Sequence, residues 1–209
     1  MTPARPKLTD YHTSEEAVQD LCQGFGGPVC PVMPCHQVVA SDLPETFRLL
    51  LAHHGHMTTR LEAFYGCPVD LQVMEEEWEG DLYRRKILLR LSETDQVVEF
   101  GIVRIDLQHL PPPPRDEILA RQRPLGEILI RHKVLRRIDP RWYLRFPVHC
   151  GILSCFGPAR RGDAYGRVGT IYCQDEPAIE LLEVVADLAL SHRAGDRPQE
   201  RRASSDSAS

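Results

Sequence analysis

The chain has 209 residues, 42% hydrophobic and 26% charged, with a formal net charge of -5 at pH 7. That composition supports one globular domain whose core needs no disulfides, and the acidic balance speaks against a general nucleic-acid binder. No run reaches the roughly 18 apolar residues of a membrane span, and residues 1–11 lack the apolar core of a signal peptide. A cytoplasmic protein is therefore expected, with neither a membrane nor a nucleic acid as partner.

Residues 1–42 read as an N-terminal extension. Thr13-Ser14-Glu15-Glu16 offers a capping-box start to a short helix ending near Leu21. A stretch rich in Gly, Pro and Cys follows, from Gly24 to Pro34, and predicts an irregular surface loop. The seven cysteines include no CxxC pair, so reduced thiols are expected. Cys22, Cys30, Cys35 and His36 are capable ligands, but their spacing matches no familiar zinc arrangement, and no metal is expected.

A domain over 43–190 comes next. Asp42-Leu43-Pro44 starts a helix with Phe47, Leu50, Leu51 and His54 on one face, ended by Gly55. A second short helix, 60–65, closes at Gly66. His53, His54 and His56 crowd the junction, where the negative end of a helix dipole accounts for them. Alternation then predicts three strands joined by short turns: one from Val69 into the acidic Glu75-Glu76-Glu77, one over 81–91, and one over 96–107. Pro111 to Pro114 reads as a rigid surface connector. Helical turns are expected over 116–121 and 127–132, strands over 134–146 and 148–156, and a basic flexible loop over 158–166. A last hairpin pairs 167–173 with 177–185. Residues 191–209 are too polar to bury apolar area and predict a disordered tail. The sum is α+β: one antiparallel sheet of about six strands with helices packed on one side.

Two strands carry a charge where a core residue belongs. Over 81–91 the even positions (Leu82, Arg84, Lys86, Leu88, Arg90) suit a half-wet surface. The odd ones are Tyr83, Ile87, Leu89, Leu91 and Arg85, and a guanidinium is almost never fully buried unless something pairs with it. Over 177–185, Glu183 shares the odd face with Ile179, Leu181 and Val185. The two form either a structural ion pair or the polar ends of one pocket. Arg136 and Arg145 are further candidate partners for Glu183, and among Arg136, Arg137, Arg141 and Arg145 one could hold a second carboxylate.

Four segments, in order over residues 43–186, resemble the chorismate pyruvate-lyase family, which makes 4-hydroxybenzoate. They are Gly55-His56-Met57-Thr58-Thr59-Arg60-Leu61-Glu62, Tyr83-Arg84-Arg85-Lys86-Ile87-Leu88-Leu89, Pro124-Leu125-Gly126-Glu127-Ile128-Leu129, and the hairpin from Gly166-Arg167 to Glu183. The resemblance implies a chorismate-lyase-like fold and a cofactor-independent carbon–oxygen lyase that converts chorismate to 4-hydroxybenzoate and pyruvate. It implies that Arg85 holds the substrate carboxylate, that Met57 and Leu125 line the ring site, and that Glu183 acts at the reacting end. Burial would keep Glu183 protonated. A one-residue slip leaves Glu180 as a rival, and Glu75, Glu76 and Glu77 would repel a dianion if they faced inward.

The alternative is a non-catalytic module on the same fold that binds a small carboxylate. It resembles the effector domains of GntR-type regulators, which sense small molecules. Residues 1–42 show no helix-turn-helix pattern, so a stand-alone sensor is the expected form of this alternative.

Overall fold

The computed structural model describes residues 7–26 and 34–188. The expected tail over 191–209, Cys30 and most of the glycine- and proline-rich loop (27–33) lie outside the described residues.

Period-two segments joined by tight turns build the sheet. β2 (Val69–Glu79) and β3 (Leu82–Leu91) meet across Gly80, whose φ of 62° favours glycine. β4 (Val97–Asp106) follows β3 through a turn with Asp95 at φ 56°. The last hairpin, β6 (Arg160–Cys173) and β7 (Glu176–Leu188), turns on Gln174 and Asp175, both at positive φ as a type I′ turn requires. β5 (Arg136–Phe146) pairs with β6, and the short β1 (His36–Val38) pairs with β5. The order is β1-β5-β6-β7-β4-β3-β2, antiparallel throughout. The sheet has seven strands because β1, three residues long, is too short to show alternation.

α2 (Glu45–Leu51), α3 (Met57–Tyr65), α4 (Pro112–Ala120) and α5 (Leu125–Arg131) pack on one side, the face that carries Arg85 and Glu183. The domain is thus α+β as expected. The other face receives the N-terminal extension, and this corrects the half-wet surface expected for the even side of β3. Arg84 and Lys86 are both buried there. Arg84 donates to the carbonyls of Leu21 (2.8 Å) and Gln23 (2.6 Å) at the end of α1 (Ser14–Cys22). It thereby satisfies carbonyls that a helix leaves open, and its charge complements the helix dipole. Phe25 lies against the Arg84 guanidinium at 4.9 Å, and Lys86 binds Glu75 and the Gly26 carbonyl.

Three local expectations fail for identifiable reasons. Pro112, Pro113 and Pro114 form the first turn of α4, where missing N–H groups cost nothing because those positions have no acceptor to lose. Residues 151–156 form a 3-10 turn whose buried Ile152, Leu153 and Phe156 mimic strand hydrophobicity. Residues 160–166 belong to β6, which a register shift between Arg161 and Ala164 lets run through Gly162.

The core falls into two clusters. One gathers α1, α2, α3 and the 3-10 turn; the other holds Tyr83, Val103, Ile105, Ile118, Ile128, Leu129, Ile171 and Ile179 beneath α4 and α5. Between them, on the α2–α5 face, runs a row of charged side chains.

Candidate functional site

Arg85 stands at the middle of β3, opposite Glu76 of β2 and Val103 of β4, and is 0% exposed. None of its three guanidinium nitrogens has a hydrogen-bond partner of proper geometry among the described residues. Burial lowers its pKa, while Tyr83 and Glu76 nearby favour its charge. Glu76 is already occupied: it accepts from the Tyr83 hydroxyl at 3.0 Å and from Arg121 at 2.6 Å. Glu75 and Glu77 face the other side, bonded to Lys86 and Arg84. The acidic triple therefore leaves Arg85 without a dedicated counter-ion.

Glu183 has a different partner from those expected. Register places it opposite Arg167 of β6 and Gly101 of β4. Arg167 Nε donates to its Oε2 at 2.6 Å. The remaining donors of Arg167 reach the carbonyls of Leu51 (3.2 Å), His53 (2.8 Å) and Gly55 (3.3 Å), past the end of α2. Arg167 is 1% exposed and ties β6 to α2. Glu183 is thus not the isolated acid anticipated but one partner of a guanidinium pair. Glu180 points to the opposite face, where it accepts from Arg104 Nε at 2.6 Å and from the Leu8 amide, so the rivalry ends in favour of Glu183.

Met57, Leu125, Arg85 and Glu183 line one enclosed cavity of about 40 Å³, together with His56, Thr58, Ile87, Leu89, Glu99 and Leu181. Met57 is the first residue of α3 and Leu125 the first of α5, so two helix starts form the wall opposite the sheet. They can meet because position 126 is glycine: a Cβ there would lie 2.9 Å from the His56 Cβ. The His56 side chain does not cap α3, and the positive end of that helix faces the cavity lined by Met57 and Thr58.

His53 and His56 are not the dipole-stabilised cations expected. Burial and then Arg167 lower His53 to about 4; burial, Arg136 and Arg167 lower His56 to about 4. Arg136 Nε donates to His56 Nε2, which places the ring proton on Nδ1. The helix end they crowd is served by Arg167 instead.

One cavity group, Glu99, and the partner of another, Arg167, escaped the sequence reading. Arg167 was passed over within a glycine-flanked strand. Glu99 is 2% exposed in the midst of Val97-Val98-Glu99-Phe100-Gly101-Ile102-Val103, and a lone acid in so apolar a central strand is the signal that pointed to it. Burial and the neighbouring Glu183 raise its pKa well above the ordinary carboxylate range, with Arg167 opposing. Its Oε2 has no hydrogen-bond partner among the described residues.

Among the described residues no three metal-capable side chains cluster. Cys22 and Cys35 are buried thiols, pushed up to about 12 and about 11 by burial. No described helix is long and apolar enough to cross a membrane.

No protein family and no curated protein matches the sequence. Solved structures with a similar arrangement include PhnF from Mycobacterium smegmatis, with 12% identity over 63% of this chain and 64% of that one (TM-score 0.44). Its effector domain matches at 14% identity over 63% and 88% (TM-score 0.44). A possible transcriptional regulator, YydK from Bacillus subtilis, matches at 8% over 63% and 64% (TM-score 0.41). The match thus spans under two thirds of the full PhnF and YydK chains, and likeness at this level assigns neither ligand nor activity.

Proposed function

We propose that this protein binds a small organic acid in the cavity between the two core clusters, with the ligand carboxylate paired to Arg85. The observation that carries this reading is the fully buried guanidinium with no hydrogen-bond partner of proper geometry among the described residues. Such a group destabilises a fold unless an anion completes it, and a carboxylate matches its planar fork bidentately. The positive end of α3 favours the same charge. Apolar walls from Met57, Ile87, Leu89, Leu125 and Leu181 suit a ring or short hydrocarbon frame. At about 40 Å³ the cavity has room for roughly a water molecule or two. Entry of a ring-sized acid therefore requires the helix starts at 56–58 and 124–126 to separate.

A second reading, catalysis on chorismate, is favoured by one observation: the four residues that the lyase resemblance singles out converge on this cavity. In that reaction the ether bond breaks and the ring gives up a proton to become aromatic. The departing enolpyruvate takes up a proton to become pyruvate. On this reading Glu183, oriented by Arg167, would accept the ring proton.

One experiment tests both. Purified protein is titrated calorimetrically with benzoate and 4-hydroxybenzoate, and separately mixed with chorismate while pyruvate and aromatic product are followed. Saturable binding that Arg85→Leu abolishes, without turnover, supports the binding module. Release of 4-hydroxybenzoate and pyruvate, lost in Arg85→Leu and Glu183→Gln, supports the lyase. Binding unchanged by Arg85→Leu returns Arg85 to a structural role.

A further inference from the structure

The cavity holds more acid than the binding of one carboxylate requires. Its polar wall carries one cation, Arg85, and two carboxyl groups, Glu183 and Glu99, with Arg167 behind Glu183 as its partner. His56 at the start of α3 and His53 beyond the end of α2 face the same region and are neutral. Arg167 is engaged by Glu183 and by three carbonyls. Arg85 is the unpaired cation and Glu99 the unpaired acid, yet they do not meet.

Strand register explains why. Arg85 lies opposite Val103 and Glu99 opposite Leu89, four residues apart along β4, which is roughly 13 Å at ~3.3 Å per residue. Glu183 lies opposite Gly101, two residues from Glu99 on the same face. Gly101 supplies no side chain, and Glu99 Oε1 lies 3.5 Å from where its Cβ would be. Glu99 is thus folded over the glycine to the level of Glu183, one strand repeat short of Arg85. The two ends have opposite character: a bare guanidinium at one, a pair of carboxyl groups with a single arginine at the other.

We propose that Glu99 is the neutral hydrogen-bond donor of this cavity, and that the ligand class is a carboxylic acid with an uncharged oxygen, hydroxyl, ether or carbonyl, at its far end. This rests on the reading of Arg85 as the carboxylate's partner. Glu99 has no cation of its own, and burial beside Glu183 keeps its proton on. A protonated carboxyl offers one O–H donor, and the unpartnered Oε2 has an unused hydrogen-bonding capacity in the cavity wall. A second carboxylate cannot occupy that end beside Glu183 without like-charge repulsion. An oxygen that carries no charge can, and it accepts the Glu99 proton in a hydrogen bond. The wall therefore orients its ligand, anion toward Arg85 and neutral oxygen toward Glu99.

The test compares benzoate with 4-hydroxybenzoate, which differ by one hydroxyl, by calorimetric titration of the whole protein. Wild type is expected to bind the hydroxy acid about tenfold tighter. Glu99→Gln, still a neutral donor, keeps that preference; Glu99→Leu binds both acids equally; Arg85→Leu binds neither. An undiminished preference in Glu99→Leu overturns the proposal, as does equal binding of the two acids by wild type, and neither outcome touches the role of Arg85. Binding by neither acid in any variant overturns the Arg85 reading and this one together. A ligand-free check is the infrared carbonyl stretch of a protonated carboxylic acid at neutral pH, expected in wild type and missing in Glu99→Gln. Its absence from wild type overturns the proposal even if the leucine variant does not fold.

Discussion

A guanidinium held in an apolar cavity with nothing to donate to should cost stability. Removing it should show that cost. Arg85→Leu is expected to raise the unfolding free energy by about 1–3 kcal/mol, read from urea denaturation, while abolishing carboxylate binding. A destabilised variant would mean that Arg85 has a structural partner after all. The titrating residues of the cavity make a second residue-scale prediction. His53 and His56 stay neutral in the fold down to about pH 4, whereas unfolded histidine takes up its proton near 6.5. The unfolded state thus binds more protons between those values, and stability is lost as pH falls from about 6.5 toward 4. Glu99 acts in the opposite sense. Its folded pKa is raised, so its contribution is full below the unfolded value near 4.3 and declines as pH rises above it. In Glu99→Gln the gain in melting temperature from pH 4.5 to 6.5 should therefore be steeper than in wild type. A parallel pair of curves would mean that Glu99 is ionised in the fold.

At the scale of elements, buried charged side chains fix α1 on the sheet, and a glycine sets how closely α5 meets the start of α3. α1 is fixed to the sheet by Arg84 at its C-terminal carbonyls and by Arg104, which bridges Asp20 of α1 and Glu180 of β7. Arg104 is 3% exposed, and replacing it by Met leaves two carboxylates without that cation. A loss of about 3–5 kcal/mol is expected, checked by chemical denaturation, with amides of α1 exchanging first in hydrogen-exchange measurements. On the other face, the contact of α5 with His56 depends on Gly126. Gly126→Ala brings a Cβ within 2.9 Å of the His56 Cβ, and the helix start must move. A cost of about 1–3 kcal/mol in thermal unfolding is expected, together with a changed affinity for benzoate, because the displaced start carries Leu125.

Among the described residues the molecule holds together without cross-links. The six described cysteines are free, and burial pushes the Cys22 and Cys173 thiols up to about 12 and about 11. Neither should react with a thiol reagent until the chain unfolds, and a reductant should leave the melting temperature unchanged; rapid labelling of the native protein at Cys173 would contradict the burial described here. The central meander, the last hairpin, the helix closed at Gly66 and the odd-face placement of Arg85 and Glu183 were all legible in the sequence. Local geometry determines them: alternation sets the face of a strand, and turn residues set its ends. What surrounds those side chains was decided by tertiary structure alone. That Arg167 rather than Arg85 pairs with Glu183 depends on β7 lying between β6 and β4, so that register sets Glu183 opposite Arg167 and Gly101. Arg84 and Lys86 are buried because the N-terminal extension covers the even face, a contact between residues some 60 positions apart that no periodicity encodes. Glu99 is an acid without a cation for the same reason: its neighbours are chosen by pairing between distant strands, and only the folded sheet shows which charges meet and which are kept apart.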